Sequence, residues 1–513
     1  MARDWLMVGL RSPVFSLRSW LVGRTGSGQD RRPKSGVRSP FALTLVLALS
    51  ASVVAQDRAD RSRPPQIGPA PALDLPPIQK RMLSNGLPVW LVESHEVPLV
   101  QVNLVVMSGS GDDPAGKFGV ASLTAAMLDE GAGTRSALEI ADAVDFLGAD
   151  LTTSSSFDAS AVRLNVPTAR LGDALPLLAD VALRPTFLQE ELERLRQERL
   201  TALLQARDDP AAIAPVLFAR VVFGPTHRYG TAAMGTEATI KGFTTQDLRA
   251  FHTATYQPSN ATLIVAGDVK LDAIVPQLEK HFGSWRNGAA VAHSPVPAAT
   301  QLSQGQISII DVPKAEQSQI RIGWVGVPRS TPDYFTLQVL NTILGGAFTS
   351  RLNQNLREEH QYSYGASSRF DMRLSPGPFF AAAGVQTDKT ADALKEFFKE
   401  LTNIGQPIPA DELAKAKNYV ALGFPSEFET IDDLSGHIEE QVIYKLPDDY
   451  FERYVANVQA VTAAAAQKAA GTYIQPKRFA VVVVGNRKVI EPGIRALNLA
   501  PVRTMTIDEV LGK

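Results

Sequence analysis

This sequence predicts an α+β fold with two homologous domains, each a mixed or antiparallel sheet with helices packed on one face. Three observations carry the prediction. Similar segments recur at one offset along the chain. Within each half the order is strands, helices, strands and then more helices. The strict βα alternation that a doubly wound sheet requires is missing.

The recurrence is visible in three pairs. QPSNATLIVAGD from Gln257 returns as QPKRFAVVVVGN from Gln475, and their closing glycines, Gly267 and Gly485, are 218 positions apart. The charged helix LQEELERLRQERL from Leu188 returns as IPADELAKAKNYV from Ile408, with Glu191 and Glu412 separated by 221. The alternating strand VQVNLVV from Val100 returns as IRIGWVG from Ile320, separated by 220. Repeats at one offset mark duplicated structural units. The expected organisation is an extension and leader over 1–55, a flexible tail over 56–79, one domain over 80–285, a linker over 286–305, a second domain over 306–500 and a tail over 501–513. The linker is rich in Ala, Pro and Ser.

In the first half, Leu87–Val92 and Leu99–Val106 have the partial alternation of strands. Phe118–Glu130 has helical spacing and stops at Gly131. Ser136 caps the next helix, with Glu139 as its capping-box partner. Ala149–Ser156 and Ala159–Val166 form a strand pair. Long helices then cover Leu171–Leu183, Leu188–Ala206 and Ala211–Phe223.

Composition excludes several function classes. The chain has 513 residues, too many for one ordinary domain, with 45% apolar and 20% charged residues and a net charge of −2. Nothing in that balance favours nucleic acid. With no cysteine, disulfide scaffolds, cysteine zinc sites and thiol nucleophiles are out. No apolar run spans a bilayer. FALTLVLALSASVVA, residues 41–55, is uncharged and follows Lys34 and Arg38. It reads as a secretory signal over about 37–55, cleaved after Ala55. The chain is then exported, to the periplasm in a bacterium. The Arg-rich start alternatively suits a mitochondrial presequence.

Catalytic motifs are scarce. The seven histidines lie at least 12 residues apart, so neither HExxH nor HxxEH is present. There is no G-x-S-x-G elbow and no phosphate-binding GK[ST]. Asp208 and Asp209, before Pro210, read as a turn.

NGLPVWLVESHEVPLVQVNLVVMSGS, GVASLTAAMLDEGAGTRS, RLRQERLTALLQARDDP, FGPTHRYG and LGGAFTSRLNQNLREEHQYSYGASS together resemble the insulinase/pitrilysin-like metallopeptidases, the inverted zincins. Within that family the chain is most similar to the small two-domain bacterial type and to the non-catalytic alpha subunit of the processing peptidase. The resemblance covers residues 80–500 and implies that the two domains form half of a clamshell. Catalytic members carry HxxEH on the first helix of the first domain. Here the first His falls on Ser122, the Glu on Ala125, the second His on Ala126 and the distal Glu ligand on Ala202. A hydroxyl and three methyls neither hold zinc nor activate water. The family's substrate-gripping Arg and Tyr, seven residues apart, match Arg357 and Tyr364. The glycine that usually follows the LREE-like run is Gln361. Gly345 and Gly346 match a glycine-rich loop that contacts substrate in the non-catalytic subunit. His227 and Tyr229 match an HPYG-like segment in which Arg228 replaces Pro, and their expected role is structural.

The resemblance implies a non-catalytic, substrate-binding subunit, with no cofactor in this chain and zinc in its partner. That partner is a homologous chain bearing HxxEH, in a heterodimer or heterotetramer. The substrate is a peptide or an unfolded protein. The alternative is a scaffold subunit of the same fold with no part in proteolysis.

Overall fold

The computed structural model of the protein describes residue 68, residues 73–293 and residues 296–511. Pro69–Lys513 forms one compact unit. The leader expected over 37–55 lies outside the described residues. Among the described residues, no helix is long and apolar enough to cross a membrane.

The first half contributes β1 (Gln79–Met82), β2 (Pro88–Glu93), β3 (Leu99–Val106), β4 (Asp150–Ser155), β5 (Ser160–Pro167) and β6 (Ala261–Gly267). They form a six-stranded sheet in the order β1-β2-β6-β3-β5-β4. Only β2 and β6 run parallel. The second half contributes β7 (Gln306–Asp311), β8 (Gln317–Val325), β9 (Ser363–Phe370), β10 (Pro378–Gln386), β11 (Ala480–Gly485) and β12 (Val502–Met505). Their order is β12-β7-β11-β8-β10-β9, with β7 parallel to β11 and β12. Five strands therefore occupy the same places in both sheets, and the repeated segments fall on β3 and β8 and on β6 and β11. The sixth place differs. β1 comes from the chain ahead of its sheet, and β12 from the chain behind it. Residues 501–513, expected as a tail, thus carry a strand and a short helix, Ile507–Leu511. In the segment expected as a flexible tail, Leu73 and Leu75 pack on the second half's core before β1 begins.

Five helices position the site and join the halves: α1 (Val120–Ala126), α2 (Gln189–Ala206), α3 (Pro210–Phe223), α4 (Ala410–Gly423) and α5 (Ile431–Tyr444). Helix α1 is shorter than its apolar spacing predicts. Met127 caps it, and the chain turns away before Gly131. The capping box of Ser136 and Glu139 forms as expected, and Asp209 caps α3 through the amide of Ala211 at 2.8 Å.

Helices of each half cover one face of its own sheet. The other face carries a helix lent by the opposite half. Leu434 and Ile438 of α5 pack on Val92, Val105, Ile264 and Ala266 of the first sheet. Ile213, Leu217 and Phe218 of α3 pack on Ile310, Val325, Val482 and Val484 of the second. Central strands buried on both faces need apolar residues at every position. That is why β6 and β11 read as unbroken runs and not as alternations.

Candidate functional site

The N-terminus of α1 is fixed by a buried ion pair. The Asp113 carboxylate accepts from the amides of Gly119 at 2.6 Å and Ala121 at 2.9 Å. It also receives Arg228 Nη2 at 2.7 Å, with both side chains almost wholly buried. Arg228 donates further to the carbonyls of Ser110 and Thr231 and lies against the rings of Phe118 and Phe157. Burial pushes the Asp113 carboxyl up and the Arg228 guanidinium down, against the attraction between them. The structural role expected for this segment rests mainly on Arg228. His227 caps locally, its Nδ1 accepting from the Tyr229 amide at 3.0 Å.

On this helix Ser122 and Ala126 are half-buried and Ala125 is buried, while Ala202 is exposed on α2. These four positions offer no metal ligand beyond one hydroxyl. Among the described residues no group of three or more His, Asp or Glu is placed to hold a metal ion. The place is not empty of charge, however. Arg199 stands one turn before Ala202 on α2, and its Nη2 donates to the Ser122 carbonyl at 2.9 Å and to its Oγ at 3.3 Å. Its Nη1 is buried with no hydrogen-bond partner, and burial lowers its pKa to about 10. A fixed cation beside Ser122 opposes a second one, so zinc does not fit here. Sequence reasoning missed Arg199 because it reads as one more charge in LERLRQERL. Its spacing of three from Ala202 is the signal that points to it.

In the second half, Thr342–Gly346 is a π-helical turn and Gln354–Glu359 another. Arg357 lies on the second turn, with its guanidinium carbon 4.3 Å above the Phe348 ring and its Nε 3.4 Å from Glu358. Its side chain is 34% exposed. Tyr364 stands near the start of β9, the edge strand of the second sheet. It is 90% exposed, and its phenol makes no hydrogen bond among the described residues. Phe348 beside Arg357 is also exposed. The connecting Gln361 adopts φ +57°, in the left-handed region. That conformation accounts for a glycine preference at this position.

The two glycines divide. Gly346 is exposed. Gly345 is buried, and a Cβ there would collide with the Ser368 amide nitrogen of β9. Its glycine lets the turn meet the strand. Of the two glycines expected to touch substrate, Gly345 is therefore packed against β9 and Gly346 lies open to solvent.

Residues 89–217 match the family model described as Insulinase (Peptidase family M16), and residues 242–420 match Peptidase M16 inactive domain. An uncharacterized zinc protease of Mycobacterium leprae is 27% identical over 341 residues, covering 66% of this chain and 76% of that protein. One of Bacillus subtilis is 25% identical over 345 residues, covering 66% and 82%. A crystal structure described as a peptidase M16 inactive domain from Pseudomonas fluorescens superposes with a TM-score of 0.74 at 26% identity, over 80% of this chain and 98% of that one. The periplasmic protease PqqL of Escherichia coli shares the fold, with a TM-score of 0.67 at 18% identity over 83% of this chain and 50% of that one.

Proposed function

Because the chain belongs to the insulinase-like peptidase family, we propose that it is the non-catalytic, substrate-binding subunit of an exported zinc metallopeptidase complex. A homologous partner with HxxEH and the distal Glu holds the zinc, in a heterodimer or heterotetramer. The substrate is a peptide or an unfolded protein. This chain contributes Arg357, Tyr364 and part of the chamber wall. The leader over 37–55 directs export, and the mature chain starts at Gln56.

The observation that carries the reading is Tyr364. A phenol that is neither buried nor bonded within its own chain is free to donate to a ligand. This one is 90% exposed on an edge strand and makes no hydrogen bond among the described residues. Arg357 is likewise held by one aromatic ring and one neighbouring carboxylate, which leaves donors of its planar fork available. A peptide laid on the free edge of β9 obtains main-chain partners there. The guanidinium binds its carbonyls and the phenol donates to oxygen where charge develops.

The test is reconstitution with an HxxEH-bearing partner. Arg357→Ala and Tyr364→Phe leave the complex intact by size. They lower its peptide kcat/KM on the order of 10²-fold, as loss of a positioned donor does. The double variant is less impaired than the product of the singles, since both grip one substrate. Wild-type turnover from both variants in an intact complex refutes the shared site and leaves the scaffold reading.

A further inference from the structure

Arg199 has a setting unlike that of the other two arginines in the middle of α2. Arg194 is met by three carboxylates, Glu130, Glu191 and Glu198. Arg196 is met by Glu193 and by the carbonyls of Ile240 and Phe243. Arg199 has no carboxylate partner among the described residues. Its bonds are those of Nη2 to Ser122, and the buried Nη1 has none. A buried donor left unmade costs more than a made bond returns, and the more so for a charged one. An aliphatic side chain in its place would leave no buried donor unmade.

Its surroundings are those of a binding position. Ser122 and Ala126 are half-buried, and Ala202, one turn on from Arg199, is exposed, so the place where Arg199 meets Ser122 lies near the surface. Helix α1 packs beside β4, the free edge strand of the first sheet. A peptide added to that edge runs beside α1, the helix that carries Ser122. The small side chains at Ala125, Ala126 and Ala202 leave nothing to compete with the guanidinium for an incoming anion. Burial lowers the guanidinium pKa without removing its charge at neutral pH.

We propose that Arg199 anchors a carboxylate site at the degenerate metal position, taking the C-terminal carboxylate or an Asp or Glu side chain of a bound peptide. With Nη2 held on Ser122, it is Nη1 that offers a charge-assisted donor to a carboxylate, at a fixed angle that a freely rotating ammonium lacks. An acidic peptide is then held on this half where a catalytic relative would present a metal. The biological use of the site rests on the proposed peptide-binding role, but binding itself needs neither partner nor turnover.

The experiment uses the full chain alone, with dye-labelled peptides of one sequence that end in a free acid or an amide, with or without one internal Glu. Fluorescence anisotropy gives each Kd. The wild type binds the peptides that carry a carboxylate on the order of 10-fold or more tighter than the neutral amide, as a charged hydrogen-bonded pair warrants. The acid and Glu arms tell which carboxylate it takes. Arg199→Gln, confirmed folded by circular dichroism, loses the preference, and Arg199→Lys keeps only part of it. If the Gln variant does not fold, the Lys variant and the wild type decide, since carboxylate peptides raise the wild-type Tm and the amide does not. Equal binding of acid and amide by the wild type, an undiminished preference in the variants, or no binding of any peptide overturns the site. None of these bears on Arg357 and Tyr364, which are read from turnover in the complex.

Discussion

Gln361 sits at φ +57° on an exposed turn between Arg357 and Tyr364. A side chain there meets the steric cost of the left-handed region, which glycine escapes. Gln361→Gly should therefore stabilise the chain by about 1 kcal/mol, read as a higher urea midpoint with unchanged slope. A lower midpoint would mean that the side chain supports the turn. Asp129 gives a residue-scale pH dependence. Burial raises its carboxyl to about 6, with its own backbone amide and the Thr153 hydroxyl opposing. A raised carboxyl binds protons more tightly folded than unfolded, so its contribution to stability falls as pH rises from about 4 to about 6 and is level above. Asp129→Asn should gain stability relative to wild type at pH 7.5 and little at pH 4. An equal effect at both pH values would contradict the assignment. Gln361 was visible in the sequence as a departure from glycine. Asp129 was not, since one acid in DEGAGT carries no sign of burial.

At the scale of elements, local signals were readable and distant ones were not. Ser136 and Glu139 lie three apart, so their capping box is written in adjacent residues. Leu171–Leu183 and Leu99–Val106 fall where their apolar patterns place them. Helix α1 is the contrary case. Asp113 and Arg228 anchor it across 115 positions, and no periodicity links them. The pair is almost wholly desolvated, so removing the arginine leaves an unpaired buried carboxylate at the start of α1. Arg228→Met should cost about 3–5 kcal/mol in urea unfolding. A cost below about 1 kcal/mol would show the pair to be replaceable by packing, as some buried ion pairs are. The same distance effect hid Arg199, whose partner Ser122 lies 77 positions away.

The whole molecule is held by reciprocity between its halves. The duplication was legible because the same strands recur at one offset, but the exchange of α3 and α5 was not. Both helices sit within the repeat and look like ordinary members of their own half. Their destination depends on which sheet face is left bare. Beyond its apolar contacts, α5 carries a buried polar anchor. Glu439 accepts from Arg163 at 2.8 and 2.6 Å and from Asn103 at 2.6 Å, both on the first sheet. Arg163 also donates to the Ser154 hydroxyl, and Asn103 to that of Ser435. Neither hydroxyl carries the charge that the guanidinium needs. Glu439→Ala should then destabilise the chain by about 3 kcal/mol, because it strands a largely buried guanidinium and weakens a buried amide at once. The loss should appear in both halves together. Fluorine NMR of fluorotryptophan-labelled protein reads the halves separately. Trp90 lies on β2 against the face that α5 covers, and Trp324 lies on β8, buried against Phe379. Trp→Phe substitutions assign the two resonances. If the halves fold as one cooperative unit, both native resonances of Glu439→Ala vanish at the same lowered urea midpoint. A Trp324 resonance that keeps its wild-type midpoint while that of Trp90 falls would mean that the second half is stable without lending its helix.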